Sequence, residues 1–320
     1  MRTPALLIPL ALACLTPAAA AAQSGPANGN CGFSPTNSCQ AKVDIFAYLA
    51  PQLGALVAGG NATLGQGGSL AGPGHLTVSV RANALQGSLP DFRGFAPTVS
   101  ADRAKFGTKS AALLLPIVDA SIGVFGGFSA GVTKVGGLDL LATGSYLPAF
   151  NGGSTKIQVP NGALKFGYGV RVGLLQEGLL TPGVGVTWVK RDLPIVNVRT
   201  GTATGTFALD DVDIRTTSWR LTASKSLIAF GVAAGVGRDS YTASGTVSVP
   251  SPSTAIPFPV SQTVKRLSYF GDVSMNFFLA RVIAEIGGVS GGKSQTYNSF
   301  AGKASDAFRL YGSLGIRAGI

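Results

Sequence analysis

A few side chains in this sequence could carry hydrolytic or metal chemistry, and they are widely separated along the chain. The single histidine, His75, is of the type that activates a serine or a water molecule in hydrolases. Asp210, Asp211 and Asp213 form an Asp-Asp-x-Asp cluster that could bind a cation, although it lacks the further ligands of a calcium loop. What these groups can do depends on the elements that position them.

Those elements are predicted by a strict alternation of apolar and polar residues. It is clearest over 308–320, where Phe, Leu and Ile alternate with Arg, Tyr, Ser and Gly. The runs 76–84, 164–174, 228–237 and 267–277 repeat the pattern. A period of two indicates a strand with two different environments. About ten residues is also the length that a tilted strand needs to cross a membrane.

The alternation predicts ten strands joined by connections of alternating length. The strands are placed near 74–85, 115–126, 136–148, 162–175, 181–193, 214–225, 228–240, 264–277, 280–292 and 306–320. Long connections follow the odd-numbered strands, as in a membrane barrel with long outer loops, short periplasmic turns and both termini on the periplasmic side. Counts of eight, twelve or fourteen strands stay open, chiefly because the segment 86–114 fits no clear pattern.

The composition favours the same fold. Only 12% of the residues are charged and the mean hydropathy is +0.34, whereas a soluble domain carries about 25% charged residues. The apolar residues are spread thinly, which is what strands with one lipid-facing side produce. We therefore predict an all-β, antiparallel transmembrane β-barrel of about ten strands with a short N-terminal helical segment, located in the cell outer membrane.

The first residues predict export. Arg2 precedes an apolar run over 5–15, and small alanines follow before Gln23, which is the order of a cleavable secretory signal over 1–22. The apolar run is too short to span a bilayer as a helix. A lipoprotein modified on Cys14 is the alternative, although the residues before that cysteine are a poor recognition sequence.

The segment 23–60 is predicted to precede the barrel, which takes up 61–320. Cys31 and Cys39 lie in this segment, and in an exported chain they predict one local disulfide. Over 42–58 the apolar residues follow a spacing near 3.6, which predicts a helix. This helix either plugs the lumen or lies against the periplasmic mouth, and a leader that packs loosely is the alternative.

Two of the predicted outer loops continue the alternation beyond the membrane, over 196–207 and 241–249. Prolines then follow at 250, 252, 257 and 259. Because proline has no backbone N–H to donate, we expect these residues to end the strand ladder in a loop tip.

If the apolar faces meet lipid, the polar faces line the lumen. This places inside the barrel Arg81, Asp139, Lys165, Arg171, Arg220, Asp272, Arg281, Glu285, Arg309 and Arg317. Their excess of positive charge would favour anionic solutes in an open channel. The alternative is a sealed interior in which these charges pair with one another and with tyrosines, because a barrel of about eight strands is already filled by its side chains.

The net charge of +11 does not indicate nucleic acid, because the basic residues are scattered along an exported chain. The expected partners are outer-membrane lipid and lipopolysaccharide, the barrel-assembly machinery and an unidentified small solute. Trp188, beside Lys190 and Arg191, fits an anchor at the membrane interface. In this topology His75 lies at the periplasmic end and the aspartate cluster in an outer loop. We therefore expect no enzyme, no metal and no cofactor.

Two stretches, from Gly65 to Asn83 and from Gly136 to Leu140, resemble outer-membrane barrels of the fatty-acid-transporter-like kind. The resemblance covers about 42–148, and no signature residue of those transporters can be transferred to a position here. It implies an N-terminal plug and the uptake of hydrophobic small molecules. The hypotheses are a passive channel or uptake barrel, a non-conducting structural or adhesive barrel, and a secreted soluble β-sandwich.

Overall fold

A computed structural model of the chain describes residues 38–91, 103–152, 155–202, 205–249 and 256–320. The predicted signal peptide and Cys31 lie outside the described residues. Cys39 is buried and disulfide-bonded, and its pairing with Cys31 stays a prediction.

The described ranges contain one α-helix and seventeen strands. They are α1 (Ser38–Ala58), β1 (Leu76–Pro90), β2 (Lys105–Phe106), β3 (Thr108–Phe125), β4 (Phe128–Ala130), β5 (Thr133–Val135), β6 (Gly137–Tyr146), β7 (Phe150–Gly152), β8 (Thr155–Gln158), β9 (Leu164–Leu175), β10 (Gly183–Asp192), β11 (Val196–Thr202), β12 (Gly205–Ser226), β13 (Phe230–Val249), β14 (Ile256–Phe277), β15 (Ala280–Ser290), β16 (Ser299–Phe300) and β17 (Arg309–Gly319).

Ten of these strands close into a ring of antiparallel neighbours, in the order β1, β3, β6, β9, β10, β12, β13, β14, β15 and β17. The last strand pairs with the first, with Ile316 opposite Val80. On the far side β10 pairs with β12, with Trp188 opposite Trp219. A closed ring satisfies the backbone hydrogen bonds between strands and leaves no edge facing lipid. The prediction of an antiparallel barrel of about ten strands is confirmed.

Burial alternates along the ring strands as the sequence pattern predicts. In β1, Val78 and Val80 face outward while Ser79 and Arg81 are buried. Large apolar side chains stay exposed on the outer face around the ring; Leu314, for example, is 62% exposed. A soluble protein rarely leaves so extensive an apolar surface uncovered. The exposed belt is therefore the surface that meets hydrocarbon.

Aromatic side chains border this belt at both ends. At one end Trp188 contacts both Tyr168 and Trp219, and Tyr269 stacks on Phe308. At the other end stand Phe125, Phe128, Phe230, Phe277 and Phe278, all exposed. Two aromatic girdles that flank an apolar band are typical of membrane barrels. They place the two membrane interfaces.

The direction of the barrel follows from its connections. Strands β12 and β13 are joined by residues 227–229, and β14 and β15 by residues 278–279. These short turns lie at the end where Leu76 and Ile320 exchange backbone hydrogen bonds of 3.0 Å. The opposite end carries the long connections, and long connections mark the outer side of such barrels. The barrel strands thus begin and end at the periplasmic side.

Three neighbouring strands extend above the outer girdle: β12 and β14 have 22 residues each and β13 has 20. Their outward residues become polar there, as at Thr242 and Thr263. The predicted continuation of the ladder beyond the membrane is confirmed. The predicted loop tip is wrong at Pro257 and Pro259, which pair with Ser248 and Thr246.

These prolines are tolerated because this part of β14 is an edge. Strand β15 pairs with β14 only as far as Leu267, so the ladder above that residue has one neighbour, β13. Pro257 and Pro259 are two residues apart on the strand, so the N–H groups that they lack would both have pointed to the same side of it. Prolines occur in sheets where that side has no strand to bond.

The helix α1 lies inside the barrel. By length and apolar composition it could span a membrane, but 89% of its most apolar stretch is buried within the protein. It runs from the outer mouth at Ser38 to the middle of the lumen at Ala58, and residues 59–75 continue to the periplasmic end. The helix therefore lies within the lumen, where it would act as a plug, and not at the periplasmic mouth.

Candidate functional site: the filled lumen

The outer half of the lumen is an apolar core built around α1. A helix satisfies its own backbone hydrogen bonds, so the surrounding wall needs to offer only apolar contacts. Phe46, Ala50 and Val57 of the helix belong to one buried cluster with the wall. The wall residues of that cluster include Leu85, Ile117, Phe207, Ile214, Tyr241, Val264, Phe270 and Tyr311.

At Gly54 the helix lies against the wall without room for a side chain. A Cβ atom at this position would lie 2.7 Å from the Cβ of Tyr241. Glycine is therefore required there for α1 to sit against β13 at this distance.

Polar side chains fix the outer end of α1 at the mouth, above the outer girdle. The Asp44 carboxylate accepts hydrogen bonds from the backbone N–H of Asn298 at 2.7 Å, from its Nδ2 at 2.7 Å, and from the N–H of Tyr297 at 3.1 Å. Burial raises the pKa of Asp44, and the hydrogen bonds from Asn298, Gln40 and Tyr297 oppose that rise. Lys42 donates to the carbonyl oxygen of Ser248 at 2.5 Å. These contacts join the helix to the β15–β17 connection and to the top of β13.

About two turns further down, α1 bonds directly to the backbone of β1. Gln52 Nε2 donates to the carbonyl oxygen of Ser88 at 3.0 Å, and the Ser88 N–H donates to Gln52 Oε1 at 2.7 Å. The hydroxyl of Tyr48 donates to Ser88 Oγ at 2.9 Å. These three bonds fix the depth of the helix in the lumen.

The inner half of the lumen has a different chemistry because residues 59–75 are not helical. Their backbone groups need partners from the wall, and the wall supplies charged and polar side chains. The Asn61 N–H donates to Glu285 at 2.9 Å and the Gly65 N–H to Asp272 at 3.0 Å. The carbonyl oxygen of Leu64 accepts from Arg317 Nη1 at 2.5 Å. The charges predicted for the lumen thus bind the plug.

Ion pairs form a layer across the middle of the barrel. Asp119 accepts from Arg81 at 2.8 Å and from Arg191 at 3.3 Å. Arg220 pairs with Asp239 on the neighbouring strand. These five side chains are each at most 4% exposed. Buried charges are stable in such a site only when they are paired and hydrogen-bonded.

A second charged layer lies nearer the periplasm. Arg171 Nε pairs with Asp139 Oδ2 at 2.7 Å, and neither side chain is exposed. Both oxygens of Asp139 also accept from the Leu70 N–H, at 3.1 Å each. This pair therefore binds the lower part of the plug as well as joining β6 to β9.

Asp272 and Glu285 stand opposite each other on β14 and β15. In the part of the chain that the structure describes, no basic nitrogen lies within 4.0 Å of either carboxylate. Asp272 accepts a hydrogen bond from the N–H of Gly65 in the plug, and Glu285 accepts one from the N–H of Asn61. Both carboxylates are therefore oriented by the plug rather than by an arginine.

The remaining predicted lumen residues lie at the two ends. Lys165 is half-buried near the outer end of β9. Arg309 is fully buried beside the outer connection and donates to the Gln86 carbonyl oxygen at 3.4 Å. Arg281 donates to Asn276 Oδ1 at 2.7 Å at the periplasmic end. There a polar vestibule of about 460 Å³ ends against Gly65 and its neighbours in the plug.

Sequence reasoning missed three members of the central layer, Asp119, Arg191 and Asp239. Asp119 and Asp239 occupy polar positions of predicted strands, so the alternation could have placed them inside the barrel. Arg191 was assigned to a membrane anchor because of its neighbour Trp188. It is instead buried within the lumen, 3.3 Å from Asp119.

The residues considered first for catalysis lie far apart. His75 is exposed at the periplasmic end. The aspartate cluster lies in β12 rather than in a loop, at a break in its register with β13. Asp210 pairs with Arg199 and Asp213 with Arg215. Across the described ranges, no three His, Cys, Asp or Glu side chains are grouped as a metal site would need.

The closed ring, the apolar belt and the two girdles together decide the class. The chain is a β-barrel of the outer-membrane type. Its apolar residues face outward and its charges face inward, which is the reverse of a soluble barrel. The sequence-based alternative of a secreted β-sandwich is therefore wrong.

Comparison with known proteins gives structural likenesses only. No protein-family model matches the chain, and no curated protein matches it. The translocator domain of the autotransporter NalP from Neisseria meningitidis has a TM-score of 0.40 at 8% identity, over 76% of this chain and 87% of that one. The toluene transporter TodX from Pseudomonas putida has a TM-score of 0.31 at 10% identity, over 82% and 96%.

The outer membrane protease OmpT from Escherichia coli has a TM-score of 0.34 at 9% identity, over 78% of this chain and 97% of that one. The prediction that the chain is not an enzyme is withdrawn, since a protease is among the solved structures that the chain resembles. The likeness assigns no reaction and no residues to this chain.

Proposed function

We propose that this protein is a sealed outer-membrane anchor that presents the chain preceding α1 at the cell surface. The observation that carries the proposal is the direction of α1. Its first residue, Ser38, lies at the outer mouth, and its last residue, Ala58, lies in mid-lumen. The polypeptide before Ser38 therefore joins the barrel from the outer side, while β1 begins at the periplasmic side.

The contents of the lumen support a barrel that does not conduct. The outer half is filled by the apolar core around α1, and the inner half by residues 59–75 and the ion pairs that bind them. The sequence left open a basic channel and a sealed interior with paired charges. Pairing of Arg81, Arg171 and Arg220 with carboxylates favours the sealed interior. Uptake of a solute would require the plug to move.

Surface presentation can be tested with inserted epitopes on intact cells. One epitope is placed after the predicted signal cleavage site, between residues 26 and 27. A matched control is placed in the periplasmic turn between Phe278 and Leu279, and a positive control in the outer connection between residues 252 and 253. We expect antibody to label the first and third proteins on intact cells, and the second only after permeabilisation. Labelling of the first only after permeabilisation would contradict the proposal.

The seal can be tested independently by conductance in planar bilayers. The purified full-length barrel is expected to insert without a steady conductance. A steady conductance from the unmodified protein would contradict the sealed anchor and favour the passive channel predicted from sequence.

A further inference from the structure

The lipid-facing wall has a groove in its outer half, where β1 lies between β3 and β17. Small residues form its floor. Ala84 of β1 pairs with Gly312 of β17, and two residues further along β1 Gln86 pairs with Ala112 of β3. Leu310 forms one bank. The groove has a volume of about 550 Å³. It exists because small side chains interrupt a wall otherwise built of Val, Leu and Ile.

The upper edge of the groove carries positive charge. Lys303 donates from Nζ to Gln86 Oε1 at 3.0 Å, which places its ammonium group at the end of the groove. An apolar groove below an exposed lysine at the outer interface complements a lipid with acyl chains and a phosphate.

We infer that this groove is a binding site for a phosphorylated glycolipid of the outer leaflet, namely lipopolysaccharide. One acyl chain lies over Ala84 and Gly312, and a phosphate contacts Lys303. A flexible chain fills the concavity that rigid neighbouring residues leave, and lysines near a membrane surface attract anionic headgroups. The inference rests on the membrane orientation of the barrel and is independent of the sealed anchor.

The first test fills the groove and measures retained lipid. Full-length protein is extracted from outer membranes in mild detergent, and bound lipopolysaccharide is counted by native mass spectrometry. Gly312→Leu blocks the groove, and a Cβ there meets only the Glu285 carbonyl oxygen, at 3.5 Å. The matched control is Gly271→Leu. Gly271 also faces lipid and is separated from Gly312 by one residue of the intervening strand, Ile286. A Cβ at Gly271 meets only the Ala233 carbonyl oxygen, at 3.9 Å. We expect roughly tenfold less retained lipid for Gly312→Leu alone.

The second test removes charge without touching the groove floor. Lys303→Gln should lower retention about fivefold, as expected for losing one lysine near an anionic lipid. Lys265→Gln, an exposed outer position on β14, should not. Faster gel migration before boiling verifies that each variant still forms a closed barrel.

Four outcomes would overturn the inference. Unchanged retention by Gly312→Leu would remove the groove as the site, and equal losses in both glycine variants would indicate nonspecific lipid. Retention of phospholipid in place of lipopolysaccharide, or a dimer disrupted by Gly312→Leu, would assign the groove to a different occupant.

Discussion

Arg220 donates from Nη2 to the carbonyl oxygen of Ala58, the last residue of α1, at 3.0 Å. The same guanidinium pairs with Asp239, which is fully buried. One side chain thus joins the end of the plugging helix to the ion pairs of the wall. At this level the apolar outer half of the lumen changes to the charged inner half.

Replacing Arg220 with methionine should destabilise the barrel strongly. The substitution leaves the Asp239 carboxylate buried without its partner, which typically costs about 3–5 kcal/mol. Urea unfolding in lipid vesicles, followed by the gel mobility shift, measures the loss. The control is Arg215→Met, whose pair with Asp213 is 61% exposed on the arginine side and should change stability by less than about 1 kcal/mol. Equal effects of the two variants would contradict the role given to the central layer.

Replacing Gly67 with valine should displace the inner part of the plug. A Cβ at this position would lie 2.5 Å from the Gly183 oxygen and 2.9 Å from the Thr222 oxygen, both of them backbone atoms. Overpacking of this kind costs about 1–3 kcal/mol, and we expect intermittent conductance in planar bilayers. Gly271→Val, on the lipid-facing side, is the control and should stay silent. A silent Gly67→Val protein with normal stability would show that residues 59–75 are not wedged in the lumen.

Replacing Asp44 with asparagine should loosen the outer end of α1. The carboxylate accepts hydrogen bonds from Tyr297 and Asn298. In asparagine one of its two oxygens is replaced by an amide NH2, which is itself a donor and cannot accept these bonds. The expected loss is about 1–3 kcal/mol for the docking of this end. Hydrogen exchange over 38–50 should become faster in Asp44→Asn while the strands stay protected. Asp211→Asn, an exposed position, is the control, and unchanged exchange in both proteins would refute the anchoring role.

The position of the membrane predicts how the outer face responds to charge. Leu314→Arg places a cation in the middle of the apolar belt, where it should cost about 2–4 kcal/mol. Thr263→Arg lies on an outward position above the outer girdle and should cost about 0–1 kcal/mol. Folding into lipid vesicles at a series of urea concentrations measures both. The reverse order of costs would place the membrane elsewhere on the barrel.

The sequence by itself determined the strands and the face that each residue occupies. A period of two places Val80 outside and Arg81 inside regardless of the partner strand, because successive side chains point to opposite faces of a strand. The charges therefore had to lie in the lumen, and the length of each run matched a membrane crossing. The spacing over 42–58 likewise predicted α1, since helical periodicity is also a local property.

Tertiary structure alone decided what fills the lumen and how the charges pair. Asp119 pairs with both Arg81 and Arg191, which come from two other strands, and such contacts depend on ring closure, which is not visible in a local pattern. The direction of α1 was also undetermined by the sequence, because an apolar helix fits a lumen equally well from either end. Asp44 and Gln52 fix that direction by bonding to the outer connection and to β1. The edge position of Pro257 and Pro259 was hidden for the same reason: whether a strand has one neighbour or two is a property of the assembled sheet.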